Sequence, residues 1–161
     1  MGLIYGKTGI PKLMVGYPTV SDKYDVGPAV LEGSTPIYPG DVVKHGSASG
    51  AYVPASSLAS FADVAGIALA TNVKVPTTYP APQGPVAIQG GEAFGLLVRG
   101  FVAVKLDASA VLANAKEGAT VYVTTAGKLT TVSGGGNIET PWKFMGITEL
   151  HGSDKIAEIV L

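Results

Sequence analysis

Glycine and proline occur so often along this chain that long helices are excluded. The 161 residues include 22 Gly and 11 Pro, together about one residue in five. Glycine raises the entropic cost of regular structure and proline removes a main-chain donor, so the two residues break helices and mark turns. Because 47% of the residues are hydrophobic, disorder throughout the chain is not expected. The composition favours one domain of many short strands with a sizeable core.

Charge and cysteine are both scarce. Charged residues make up 14% of the chain, against roughly a quarter in an ordinary soluble domain, and cysteine is absent. The absence of cysteine excludes disulfides and thiolate metal sites, so packing, hydrogen bonds and association must supply the stability. A small chain with so little polar surface is expected to be covered by other protein. The composition therefore indicates an assembly component rather than a free catalyst.

Several classes of partner are not indicated. The net charge is −1, Arg99 is the only arginine and the lysines are scattered, so no basic surface for nucleic acid can be assembled. The chain contains no run of 18 apolar residues, so no transmembrane helix is predicted. The first residues lack the charged start and apolar stretch of a signal peptide, and we expect a protein that is made and used without secretion.

Residues 1–36 differ from the rest of the chain and predict an extended N-terminal arm. Glycine and proline recur throughout this segment and oppose regular structure, whereas large apolar residues between them oppose free solvation. Such a segment suits an arm that lies on a neighbouring surface, and the alternative is an N-terminal strand with loops packed on its own domain. The candidate partner-binding residues of the arm are Leu3, Tyr5, Ile10, Leu13, Met14, Tyr17 and Tyr24.

Residues 37–161 predict a β domain. The predicted fold class is all-β: a small β-sandwich or β-barrel with the extended N-terminal arm and at most one short helix. Gly95 and Gly100 indicate a bend, or two strands with a bulge, within one long strand signal. The last strand alternates imperfectly and predicts burial on both faces. Strands are predicted in segments 37–44, 50–54, 61–70, 92–106, 119–125, 128–132, 142–150 and 155–161.

Two segments of the β domain are less regular. Residues 72–91 hold four prolines and three glycines and predict a long surface loop around a short strand at 86–88. Residues 107–115 predict the one short helix, capped by Asp107 or Ser109, with a turn as the alternative.

A weak internal repeat divides the β domain into two hairpin units. In both, a Gly-x-x-Val opening is followed by a hairpin and then by a hydrophobic-Gly-Ile strand. The first copy runs from Gly40 to Ile67 and the second from Gly118 to Ile147. The glycine of each returning strand is expected where backbones approach closely. Two related β-units packed as a sandwich or small barrel would explain the pattern, and chance similarity between glycine-rich hairpins is the alternative.

The chain carries no signature of catalysis. His45 and His151 lie in predicted turns, and exposed loop histidines are far commoner than metal ligands, which must converge in threes or fours. The acidic residues are spread singly, and neither a nucleophile elbow nor a cysteine nucleophile occurs. Trp142 is expected to pack in the core. We therefore predict no catalytic residues, no metal site and no cofactor.

Several motifs, and their order along the chain, resemble those of the small capsid decoration, or cement, proteins of tailed-phage heads. The resembling segments are the turn and strand at 37–43, the strand at 64–68, the strand at 98–102 after the Gly91-Glu92 turn, the hairpin at 118–130, and the strands at 144–147 and 156–161. Together they cover about residues 37–161. The arm matches no specific pattern.

The resemblance implies a virion structural protein that is not an enzyme. Such a protein would be made in the host cytoplasm and would bind the exterior of an assembled bacteriophage head as a homo-oligomer, with a trimer favoured by analogy with threefold capsid positions. Its partners would be the major capsid protein, whose neighbouring subunits it would bridge, and other copies of itself. The alternatives are a receptor- or glycan-binding β module of a fibre or adhesin, for which Trp142 and the 72–91 loop are the candidates, and a small trimeric β enzyme.

Overall fold

Residues 13–19, 25–69 and 86–161 are described by the computed structural model. Within these ranges the chain is all-β, which confirms the predicted fold class, and no helix there has the length and hydrophobicity of a membrane span. Single turns of 3₁₀ helix lie at Phe61–Asp63 and Leu112–Asn114. The strands are β1 (Asp25–Leu31), β2 (Val42–His45), β3 (Ala51–Pro54), β4 (Val64–Leu69), β5 (Ala93–Arg99), β6 (Phe101–Lys105), β7 (Thr120–Val123), β8 (Leu129–Thr130), β9 (Ile138–His151) and β10 (Asp154–Val160).

The first five strands close into a barrel with the order β1-β3-β2-β4-β5. β1 completes the barrel, since it pairs antiparallel with β5 along its length and parallel with β3 at Val30 and Leu31. The barrel interior is filled by apolar side chains that include Leu31, Val43 and Phe94. Closure through Val30 and Leu31 pairs the end of β1 with β3 and shortens the exposed sheet edge.

The last five strands form a second sheet that follows the same plan. Its strand order is β6-β10-β9-β7-β8. When β6 to β10 are matched in chain order with β1 to β5, each strand has the same hydrogen-bonded neighbours as its counterpart, except that β6 and β8 are not paired as strands. A parallel bridge between Leu106 and Leu129 joins the end of β6 to β8 and corresponds to the β1–β3 pairing of the barrel. The two hairpins of the predicted repeat are β2–β3 and β7–β8. That these halves are related units stays a proposal, which the matching strand order supports.

Glycine is required in both strands that return beside these hairpins. A Cβ on Gly66 in β4 would lie 2.3 Å from the carbonyl oxygen of Leu97 in β5. A Cβ on Gly146 in β9 would lie 3.1 Å from the Glu117 nitrogen, and the φ of Gly146 is 76°. Both glycines thus lie where another main chain passes close by.

The largest apolar core lies between the barrel and the second sheet. The barrel contributes Ile67 and Leu97, and the second sheet contributes Val104 and the fully buried Phe144. Trp142 belongs to the same core, as expected, and its indole packs edge-on against the Phe61 ring with centroids 5.4 Å apart. Because one core is shared by both halves, the two sheets are expected to unfold together.

Two segments differ from the prediction. Residues 25–31, placed within the extended arm at 1–36, form the barrel strand β1 despite holding Gly27 and Pro28. Residues 107–115 form no α-helix. Asp107 Oδ1 accepts hydrogen bonds from the N–H and hydroxyl of Ser109 at 2.9 and 2.6 Å, so the side chain that was expected to cap a helix holds a tight turn instead. Residues 72–85 of the predicted 72–91 loop lie outside the described residues.

Replacement of Phe144 by alanine should destabilise both halves together. Truncating a fully buried phenylalanine leaves a cavity in the shared core, and we expect a loss of about 3–5 kcal/mol in the free energy of unfolding. Urea unfolding followed by circular dichroism and by Trp142 fluorescence should give one coincident transition. The matched change at exposed Leu150 should cost less than about 0.5 kcal/mol. Two separate transitions in the Phe144→Ala variant would contradict a shared core.

Acid should weaken the fold through three carboxylates that fasten loops. Hydrogen bonds from nearby hydroxyl or N–H groups lower the pKa of Glu32, Asp63 and Asp107 below their ordinary values. Carboxyls with a lower pKa in the folded state stabilise it above the unfolded-state pKa, and this stabilisation is lost as the pH falls through the folded-state pKa. The free energy of unfolding should therefore fall below about pH 4. Asp107→Asn should flatten part of that fall in urea titrations between neutral and acid pH.

Candidate interaction surface

Residues 13–19, which we call the strap, lie along the outer edge of β6. The Gly16 N–H donates to the Ala103 oxygen at 2.9 Å, and the Thr19 N–H donates to the Phe101 oxygen at 3.2 Å. The Ala103 N–H donates to the Tyr17 oxygen at 3.4 Å. The strap thus gives main-chain partners to the part of β6 that β8 does not reach.

The strap also covers the outer face of the second sheet. Leu13 is buried against Ala103 of β6 and Ile156 of β10, with Val15 packed beside them. The next residue of β10, Ala157, faces the shared core instead. β10 is therefore buried on both faces, which confirms the expectation for the last strand of the chain.

Two carboxylates of the second sheet hold the ends of the strap. At one end, Glu149 Oε2 accepts a hydrogen bond from the Leu13 N–H at 3.1 Å. At the other end, the hydroxyl of Thr19 donates to Oε1 of Glu158, a buried residue of β10. Hydrogen bonds to carboxylates are among the stronger ones in proteins, so these contacts fix the strap at both ends.

Three of the predicted partner-binding residues lie in the strap, and their surroundings differ. Leu13 is buried within its own chain and therefore anchors the strap. Met14 and Tyr17 remain 50% and 38% exposed and point apolar area outward. The other four predicted residues, Leu3, Tyr5, Ile10 and Tyr24, lie outside the described residues. Binding of a partner by the arm stays a prediction.

A groove of about 570 Å³ runs beside the strap at the seam between the two halves. Its charged rim is balanced: Lys105 pairs with Asp154 at 2.8 Å, and Lys128 lies 3.8 Å from Asp41. Exposed ion pairs such as these contribute little to stability and leave no strong field of one sign. The groove therefore carries no electrostatic signature of a charged ligand.

The histidines do not form a metal centre among the described residues. His151 Nε2 lies 3.0 Å from Glu149 Oε2, the carboxylate that also holds Leu13, and the His45 ring packs against Tyr52 with centroids 5.6 Å apart. In residues 13–19, 25–69 and 86–161, no three His, Cys, Asp or Glu side chains are grouped as metal ligands.

Glu149 and Glu158 hold the strap, and the sequence analysis does not predict this role. The acidic residues are spread singly along the sequence, and no spacing pattern marks either glutamate. A signal was present for Glu158, since an acid between Ala157 and Ile159 in a strand predicted to be buried on both faces must have a buried donor. The donor, Thr19, lies 139 positions away in the sequence and carries no pattern of its own.

Comparisons with known proteins agree with this architecture. Residues 4–161 match the model of a phage family described as structural cement protein (E217 gp24/Pam3 gp6). Among solved structures, the chain is similar to one in the capsid of Myoviridae phage XM1, with a TM-score of 0.67 at 18% identity, covering 95% of this chain and 93% of that one. No curated protein sequence matches. At this identity the structural match shows a shared fold, whereas the family match spans nearly the whole chain.

Replacement of Thr19 by valine should loosen the strap. The change keeps the side-chain shape but leaves the buried Glu158 carboxylate without this donor, and we expect a loss of about 1–3 kcal/mol in the free energy of unfolding. The amide hydrogens of the strap should exchange faster than in the unchanged chain, and by a larger factor than amide hydrogens elsewhere.

A double variant provides the control. Thr19→Val combined with Glu158→Met removes both polar partners and should recover most of the stability. If Thr19→Val left strap exchange and stability unchanged, the hydroxyl–carboxylate contact would not hold the strap.

Proposed function

The chain belongs to the phage structural cement protein family, which gives it a structural role in the virion, and from this premise we propose that it decorates the outer surface of a phage capsid. It binds major capsid protein and holds neighbouring subunits together by bridging them. It acts without catalysis, as a homo-oligomer, and a trimer suits threefold positions of a capsid. The observation that carries the proposal is the family match over residues 4–161.

The surface of the chain supports this role. The strap presents Met14 and Tyr17 half exposed beside a strand edge that is already satisfied, so partner contact costs no buried main-chain group. Tyrosine and methionine are enriched in protein interfaces because they bring large contact area. A modest contact is then repeated at many symmetry-related sites, and avidity raises the overall affinity.

The few charges of the chain make apolar burial and main-chain bonds the main source of affinity. Association that rests on these terms is screened little by salt, unlike binding between charged surfaces. The two described lysine–aspartate pairs of the seam groove are satisfied within the chain and leave little unbalanced charge for a partner.

The purified chain should decorate phage heads that lack it, with occupancy that is nearly the same at physiological ionic strength and in about 1 M salt. Co-sedimentation and negative-stain microscopy of heads mixed with the chain measure this occupancy. Heads that stay bare would contradict decoration. Loss of most of the bound protein in high salt would contradict an apolar interface.

Variants of the strap locate the contact. Met14→Ser with Tyr17→Ser should lower the affinity for heads by about tenfold, since each removes exposed apolar area without touching the buried anchor Leu13. Val111→Ser, at a side chain that is 49% exposed elsewhere on the second half, is the matched control and should bind normally. Equal affinity of both variants would place the contact away from the strap.

A further inference from the structure

The outer edge of β1 is the counterpart of the edge that the strap occupies on β6. β1 exchanges hydrogen bonds with β5 through Leu31, whose N–H donates to the Glu92 oxygen at 3.0 Å. Hydrogen-bonded and non-bonded positions alternate along an antiparallel pair, so Val26, Pro28 and Val30 direct their main-chain groups away from β5. Val30 uses its N–H on the Gly50 oxygen at 3.0 Å.

The register of the two halves can be matched residue by residue at this place. In the barrel, the Glu32 N–H that follows β1 donates to the Tyr52 oxygen of β3 at 2.8 Å. In the second sheet, the Asp107 N–H that follows β6 donates to the Leu129 oxygen of β8 at 2.7 Å. Glu32 therefore corresponds to Asp107.

The same offset holds on the other side of the strand. The Leu106 N–H donates to the Lys155 oxygen at 2.8 Å, as the Leu31 N–H does to the Glu92 oxygen. Counting back from these bonds, Pro28 corresponds to Ala103 and Val26 corresponds to Phe101. Ala103 and Phe101 are the two residues whose carbonyl oxygens receive the strap.

The edge of β1 can receive a strap-like segment even though it contains proline. The strap donates to carbonyl oxygens at 2.9 and 3.2 Å, while the N–H of Ala103 makes only a 3.4 Å contact. Pro28 and Val26 offer the two corresponding oxygens, and proline lacks only the N–H of the weakest bond. Among the described residues, neither Pro28 nor Val26 has a main-chain partner on this outer side.

The side chains around this edge are apolar and exposed. Val26 is 41% and Val30 is 44% exposed, because they alternate with the buried Ala29 and Leu31 and lie on the outer face of the barrel. On β6, the corresponding region is covered by the strap, and Leu13 and Val15 pack on the sheet face there. An exposed apolar strand edge is a site at which another strand adds readily.

The first twelve residues of the chain have the composition of a second strap. Leu3-Ile4-Tyr5-Gly6 repeats the character of Met14-Val15-Gly16-Tyr17, with two large apolar residues followed by tyrosine and glycine in either order. Twelve extended residues reach at most about 40 Å. A chain with 14% charged residues has little polar surface of its own, which favours exchange of this segment between copies.

We propose that residues 1–12 of a second copy of the chain add a strand to the outer edge of β1 at Val26 and Pro28. The inference rests on the proposed function, because it names the self-contact through which neighbouring copies are linked. Each copy then has two corresponding edges, one covered by its own strap and one covered by the N-terminal segment of a neighbour.

Cysteine cross-linking of the full-length chain tests the contact. The chain has no cysteine, so single substitutions report without background. Tagged copies that carry Leu3→Cys, Tyr5→Cys or Lys7→Cys are mixed with untagged Val26→Cys copies, free in solution and on phage heads, and treated with a short bifunctional thiol reagent. Facing positions on adjacent strands lie about 5 Å apart, within reach of such a reagent. We expect at least one of the three pairs to give about tenfold more tagged–untagged dimer than the same pair with Val111→Cys as partner, because pairing raises the local concentration.

The outcomes separate this inference from the proposed function. Cross-linked dimer between copies, in solution or on heads, supports the inference, and loss of that dimer when Val26→Lys and Val30→Lys are introduced together in a chain that melts normally supports it further. Three results overturn it: no dimer above the Val111→Cys level, a cross-link only within one chain carrying both cysteines, or a cross-link from Val26→Cys to a capsid subunit. If heads are decorated in any of these cases, the proposed function stands, whereas bare heads count against the function itself.

Discussion

Main-chain pairing along strand edges is the constraint on which this structure depends. A short strand that leaves its N–H and C=O groups unpaired in an apolar surround loses free energy at each group and attracts other strands. The barrel closes between β1 and β3 only at Val30 and Leu31, and the second sheet is joined only at Leu106 and Leu129. The remaining edge of β6 is paired by the strap. Attachment of the strap thus follows from incomplete closure of the second sheet.

Most of the strands could be predicted because glycines and turn residues bracket short apolar runs. Local sequence patterns predict three kinds of feature: the hairpins β2–β3 and β7–β8, the break at Gly100 between β5 and β6, and the burial of β10 on both faces. Gly66 and Gly146 both lie close to another main chain, but their neighbours differ: Gly66 approaches Leu97 of β5 and Gly146 approaches Glu117, which precedes β7. Such patterns specify which residues form strands, but they do not specify which strand edges pair with each other.

The failures have long-range causes. β1 reads as arm because Gly27 and Pro28 interrupt it, yet the missing N–H of Pro28 lies on the side away from β5 where the ladder does not need it. The 107–115 segment reads as a helix because alanines follow a capping residue, but Asp107 closes a turn with Ser109. Leu13 is buried against Ala103 and Ile156, which lie far along the sequence, so its burial has no local signal. Partner binding by the arm stays a prediction.

Sparse charge and strand-edge chemistry lead to the same conclusion about assembly. A protein with few ionic groups gains little from exposed pairs such as Lys105–Asp154, so its contacts with neighbours must come from apolar area and main-chain bonds. Edges supply both, since a strand added to an edge forms hydrogen bonds and buries the side chains beside it. Because the two halves share one strand order, the chain presents two corresponding edges, and its own strap needs only one of them. In the proposed contact, copies are linked through main-chain bonds, which tolerate sequence change better than a set of paired charges does.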